Sequence, residues 1–432
     1  MNISISSIQR FFLYLTVITA FTGVLAFSFS IGPIHLFPYR FLLLILWAVL
    51  IVDILNNNGW LDLSHVKVKR YLLFFALWLA YALLSIIWSV DQVAALKNII
   101  FLFMGISIVF FLVYVIRDLS HLKWLYWLWL LMFISLIPIG IWEVLTGNHL
   151  GMSSLLERDK FMMRYAPTTV FTNQNDYAAY IALTMPMILV WIRYYPKLYS
   201  RALGFLVLIA GLLLLIMTTA RSCYVAVFMG LAFWFIFLLQ TKAKIKVLAI
   251  CILMGLAFAD QLQVGLPVVE SQMNSLSVIG SQTGEGMSDT IRLNLIKNAL
   301  YYTIQSVGIG VGAGNAEYYM EHYAIYPVGL IINVHNWWAE ILVNYGVLIF
   351  TGYVVLYGAI FLHLWRAYKR GINPTEKMLC EALLVGLVSF FMASIASSSI
   401  VAFSPQWIYF GMCLAFLNCY RIKNPVSEFI NQ

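Results

Sequence analysis

The chain has 432 residues, of which 62% are hydrophobic and only 10% charged, and its mean hydropathy is +0.89. Soluble globular proteins carry roughly 25% charged residues, so this composition excludes a soluble enzyme and describes an integral membrane protein. The formal net charge of +8 then reflects Lys and Arg gathered in cytoplasmic loops and implies no nucleic-acid partner.

A hydrocarbon core of ~30 Å needs ~20 apolar residues per helix. Apolar runs of that order occupy residues 10–30, 36–55, 71–90, 98–116, 123–145, 172–192, 202–219, 222–240, 245–259, 336–365, 379–398 and 401–420. The expected fold is therefore an all-α polytopic bundle of about twelve transmembrane helices. The first run follows Arg10 and has no clear small-residue cleavage site behind it, so it reads as a retained span. Cys223, Cys251, Cys380, Cys413 and Cys419 all fall in or beside apolar runs without paired spacing, as small core residues do.

Orientation follows from the cations. With the N-terminus in the cytoplasm, Arg10, the Lys67 to Arg70 cluster, Arg117 and Lys123, Arg193 to Arg201, Lys242 to Lys246, Arg366 to Lys377, and Arg421 with Lys423 all lie inside. Both termini are then cytoplasmic. The opposite face receives the loop at Pro33 and His35, the loop at Asp91, residues 146–171, the turn ending in Arg221, and one long polar segment, 260–335. The chain divides into nine spans over 1–259, this extracytoplasmic loop, and three spans with a short cytoplasmic tail over 336–432. Arg40, Lys97, Arg158, Lys160, Arg164, Arg221, Arg292 and Lys297 are outer-face cations with no topological task, which directs the search for function there.

Inside the long loop, Ser281 to Gly286 reads as linker. Leu293, Ile296 and Leu300 repeat at helical spacing, predicting a helix that lies on the membrane surface. The glycine run from Gly308 to Gly314 lacks the strand-loop-helix setting of a nucleotide loop. It suits backbone passing close to a helix end or ligand.

Several polar residues stand at the mouths of outer-face spans. Arg221 lies in a turn so short that its guanidinium must sit at the membrane boundary, either as an interfacial anchor or as a functional group. Arg292 sits on the surface helix, where an Arg ordinarily just faces water. Together the two offer planar forks suited to a pyrophosphate. At an effective dielectric of 20, a cation ~4 Å from an anion contributes on the order of 4 kcal/mol before desolvation. His335 is placed to accept a hydroxyl proton near neutral pH, or shares the interfacial role of Trp337 and Trp338. Glu340 and Asp176 are carboxylates just inside span mouths, with Asn336 and Asn175 as polar neighbours. No metal-binding motif accompanies them, so metal-independent chemistry is expected, with fixed cations in the place of a divalent ion.

These pieces, in this order, resemble the O-antigen ligase and polymerase family of bacterial surface-polysaccharide enzymes. The matching segments are Phe171 to Asp176 opening a span, Thr219 to Ser222, Arg292 ahead of the glycines at 308–312, and His335-Asn336 followed by Asn344-Tyr345-Gly346. The resemblance implies a glycosyltransferase of the multi-span (GT-C-like) kind in the bacterial cytoplasmic membrane. Its substrates would be a saccharide carried on undecaprenyl pyrophosphate and a glycan or lipid-linked acceptor, with membrane lipid around it and no cofactor. Arg221 and Arg292 would hold the pyrophosphate and His335 would align or deprotonate the acceptor hydroxyl, with inversion. Polymerisation and ligation both fit. A transporter of the same lipid-linked saccharide is the rival from another class, but carriers place polar groups near the bilayer midplane, and here they gather at one face.

Overall fold

A computed structural model describes residues 5–22, 29–31, 34–156, 164–245, 285–329, 331–370, 373–395 and 400–423. The helices are α1 (Ile5–Ala20), α2 (Pro38–Asn56), α3 (Lys69–Leu84), α4 (Gln92–Val115), α5 (Leu119–Thr146), α6 (Gln174–Tyr194), α7 (Leu198–Met217), α8 (Arg221–Phe233, continued by a π turn), α9 (Glu285–Gln305), α10 (Ala316–His322), α11 (Trp337–Lys369), α12 (Pro374–Ala393) and α13 (Ser404–Lys423). Two short antiparallel strands, β1 (Phe29–Ile31) and β2 (Ile34–Leu36), interrupt an otherwise helical chain. Among the described residues, α2 to α8 and α11 are the eight helices long and apolar enough to cross a membrane. α1, α12 and α13 lie where the sequence places further spans. The expected span at 245–259 and the linker at 281–284 fall outside the described residues.

Local chemistry sets where these helices begin. Pro38 supplies a fixed φ at the first turn of α2. The carboxylates of Asp91 and Asp118 accept from the first backbone N–H groups of α4 and α5, and Asn173, Asn336 and Asn373 do the same for α6, α11 and α12.

The interior is built around α6, α12 and α13. α6 packs on α12, α12 on α8, and α13 on α4. In its most apolar window α6 is 78% buried whereas α7 is 28% buried, so α6 is sheathed by protein and α7 faces lipid. In a bilayer, helices associate through close packing, and small residues permit it. Gly230 of α8 lies against Ser389 of α12, and Gly411 of α13 against Leu112 of α4. Residues Pro405 to Tyr420 of α13 are all buried.

Near the face that carries the long segment, buried Trp78 meets Trp337, Tyr345, Tyr353 and Trp407 with ring centroids 5.5 to 6.3 Å apart. This aromatic knot ties α3, α11 and α13 directly beneath the start of α11. The indole N–H of Trp337 donates to the Tyr353 hydroxyl at 3.0 Å, giving one of its buried polar groups a partner.

The helix expected around residues 293–300 is present and longer, spanning Glu285–Gln305, and its inward side is set by residues other than Leu293 and Leu300. Leu293 and Leu300 are exposed, while Leu295, Asn298, Ala299 and Tyr302 are buried. Polar pairing selects this register: Asn298 donates to the Tyr326 carbonyl at 2.8 Å and accepts from the N–H groups of Ile325 and Tyr326 at 3.0 Å, and Asn294 donates to the Pro327 carbonyl at 2.9 Å. Leu293 and Leu300 are left on the exposed side of the helix.

Candidate active site

The site begins where the chain folds back after α10. The Asn333 side-chain oxygen accepts from the His335 N–H at 3.0 Å, and its amide donates to Glu317 at 2.7 Å. Asn336 caps α11, accepting from Trp338 N–H at 3.1 Å and Ala339 N–H at 3.2 Å. Between these two anchored asparagines His335 adopts a φ of 50°, in the left-handed region that β-carbon sterics disfavour. The Trp337 N–H donates to the Ser394 carbonyl at 3.0 Å, and the Trp338 indole to the Ser394 hydroxyl at 3.1 Å. His335 is thereby fixed to the end of α12 as well as to α11.

The other positive-φ positions outside glycine are informative in their distribution. Asn58, in the turn after α2, has φ 57°, as asparagine readily does, and Thr169, Thr219 and Val307 have φ of 50°, 58° and 53°. Thr169 precedes the cap of α6, Thr219 precedes Arg221, and Val307 opens the glycine run. Strain of this kind persists where surrounding contacts over-determine it, and it clusters at functional sites. Thr169 shows how it is held. The fully buried carboxylate of Glu143 accepts from Thr169 N–H at 2.7 Å and from Thr168 N–H and hydroxyl at 2.8 and 3.1 Å, with His149 at 3.2 Å.

Arg221 is the first residue of α8 and is exposed. Because α8 lies on α12 through Gly230 and Ser389, Arg221 and Ser394 occupy the same end of that pair. Arg292 is half-buried, and its guanidinium makes no hydrogen bond or ion pair with a described residue. It stands one turn before Leu295, which shares an apolar cluster with Val334, the neighbour of His335. Asp176 completes a reciprocal cap with Asn173, which accepts from its N–H at 2.9 Å and donates to its carboxylate at 2.7 Å. That gives Asp176 a structural task at the start of α6; Asn175 is half-buried beside it.

Glycines 308 to 312 run against α11. A Cβ on Gly310 would meet the Gly346 nitrogen and the Asn344 carbonyl, and one on Gly346 would meet the Gly308 carbonyl. The N–H groups of Val311 and Gly312 donate to the carbonyls of Val343 and Asn344 at 2.8 and 3.1 Å, and Val347 N–H to the Gly308 carbonyl at 2.8 Å. The run therefore serves as close backbone packing that holds the long segment to α11.

Composition and spacing did not single out Asn333, Glu317, Asn98 or Glu143 as site residues. Lys97 carried a signal, as a cation on the outer face with nothing to orient. A cavity of about 170 Å³ opens beside Asn333 and Val334, lined also by Lys97, Asn98, Glu317, Glu340 and Asn344.

Comparison with known proteins gives the family of the chain. A sequence profile described as O-antigen ligase matches residues 204–354, which contain Arg221, Arg292, His335 and Glu340. The teichuronic acid biosynthesis protein TuaE of Bacillus subtilis (strain 168) is 30% identical over 426 residues, covering 96% of this chain and 86% of TuaE. The chain is a multi-pass membrane protein and belongs to the O-antigen ligase and polymerase family, whose members act in surface-polysaccharide assembly on lipid-linked saccharides.

Proposed function

We propose that the chain transfers a glycan from undecaprenyl pyrophosphate to an acceptor hydroxyl at the outer face of the cytoplasmic membrane, with both its termini in the cytoplasm. His335 takes the proton of the attacking hydroxyl. The acceptor oxygen bonds to the anomeric carbon as the bond to the pyrophosphate breaks, and undecaprenyl pyrophosphate leaves with the electron pair. A single displacement inverts the carbon. Arg221 and Arg292 bind the pyrophosphate and neutralise the charge that grows on it, the part a divalent ion plays in other transferases.

The observation that carries this reading is the backbone of His335, strained to positive φ and anchored on both sides by asparagines at the mouth of α11. A merely interfacial histidine needs no such restraint. TuaE is named for teichuronic acid biosynthesis, and a polymer of that class, lengthened by repeated transfer, is the product we assign.

The test is the glycan profile of cells carrying His335→Ala, with membrane expression confirmed. Long chains should disappear while lipid-linked units accumulate at the outer leaflet. Unchanged chain length removes His335 from the chemistry, and units trapped at the inner leaflet make the protein a transporter.

A further inference from the structure

The cavity beside Asn333 combines features that the pyrophosphate reading does not use. Glu340 lines it, is 9% exposed, and its carboxylate makes no hydrogen bond or ion pair with a described residue. The charged neighbour acting on it is another carboxylate, Glu317. Burying an ion without a partner costs about several kcal/mol, so Glu340 is placed against its own solvation preference and faces open space.

The neighbouring amides show what that space would recognise. The Asn344 oxygen already accepts from Ala316 N–H at 3.0 Å, the Asn98 oxygen accepts from the Tyr345 hydroxyl, and the Asn333 oxygen accepts from His335 N–H. With one hydrogen bond already on each side-chain oxygen, Asn98 and Asn344 offer chiefly their N–H donors, with one further lone pair at most. Lys97 adds a charged donor at the rim, and Glu340 supplies acceptors. Lys97 and two amides set among the carboxyl groups of Glu340 and Glu317 do not match an apolar tail, and two acidic side chains are a poor lining for a phosphate. They match a ring bearing several hydroxyls, each both donor and acceptor.

We infer that this cavity is the subsite for the terminal sugar of the acceptor, with Glu340 and the amides of Asn98 and Asn344 holding its hydroxyls so that one is presented to His335. The inference rests on the transferase reading above. Glu340 is a positioning residue: it fixes the sugar and takes no part in the displacement. Asn333 links the two functions, since its oxygen holds His335 and its neighbour Val334 lines the cavity.

Binding can be read apart from turnover through Lys97, which is exposed at the rim. Full-length His335→Ala protein in lipid nanodiscs is treated with an acetylating reagent, and Lys97 is followed by mass spectrometry. The probe is an oligosaccharide fragment released from the host's own surface polysaccharide by partial acid hydrolysis. We expect it to slow Lys97 acetylation at least threefold, with Lys369 on the far side unaffected, and we expect Glu340→Gln added to His335→Ala to abolish that protection. Equal rates with and without the fragment, in protein that remains monodisperse, overturn the subsite. As an independent readout, Lys97→Met at an otherwise native site should raise the acceptor concentration needed for half-maximal transfer; an unaltered concentration dependence counts against the proposal. If His335→Ala cells keep full-length glycan while Lys97 is still protected, the subsite stands and the assigned chemistry falls.

Discussion

Trp337 and Ser394 are joined by a 3.0 Å hydrogen bond from the backbone N–H of one to the carbonyl of the other, which ties the start of α11 to the end of α12. The bond lies two residues from His335, so the histidine's position depends on how α11 is capped. Asn336→Ala removes the cap that serves two N–H groups. We expect a loss of about 1 kcal/mol in stability, read as a lower thermal midpoint in detergent, together with shorter glycan. Asn336→Asp should restore the stability, because aspartate caps equally well.

Arg221→Lys keeps the charge and loses the planar fork. Arg221 is exposed, so the unfolding midpoint should not move. Transfer in membranes supplied with lipid-linked substrate should fall at least about tenfold, equivalent to ~1.4 kcal/mol of barrier. Normal turnover would mean that the guanidinium geometry is irrelevant.

His335→Gly separates strain from chemistry. Glycine tolerates a φ of 50° at no steric cost, and the relief offsets its greater freedom in the unfolded chain. Stability should stay within about 1 kcal/mol of the parent while transfer is lost. A protein that unfolds outright would show that the imidazole is a structural prop.

Gly346→Ala should be severe. Gly346 has φ 75° and ψ −178°, a region almost confined to glycine, and a methyl group there meets the Gly308 carbonyl. Gly59→Ala is the matched control, since Gly59 has φ 81° but open space around it. The control should lose about 1 to 2 kcal/mol. Gly346→Ala should lose more, detected as poor recovery of folded protein from membranes.

Much of the helical framework was legible because a bilayer imposes it: spans need length and apolarity, and both are written along the chain. The reading of α9 shows the limit. Its apolar repeat at 293, 296 and 300 was correctly seen as a helix but assigned no inward side, and Asn294 and Asn298 decide that side through partners near residue 326 that no local pattern reveals. Near a membrane an exposed leucine is as well placed as a buried one, so hydropathy stops discriminating. The same reasoning applies to the site. His335 and Arg221 could be named as candidates from their place at span mouths, and Arg292 from its pairing with Arg221 and the resemblance to a known family. The roles of Asn333, Asn344 and Asn98 arise from which of their atoms are already engaged, and that information exists only after folding.

The complete enclosure of α13 has a bearing on biogenesis. This helix is made after all the other described helices, yet it fills the seam along α4 and carries Gln406 and Asn418 buried inside the bundle. Until it arrives, the nascent bundle has an open slot lined by α4, and a chain truncated before Ser404 should be a target for membrane quality-control proteases. Supplying residues 404–432 as a separate polypeptide should rescue such a truncation, because the slot it fits is already shaped by the helices made before it.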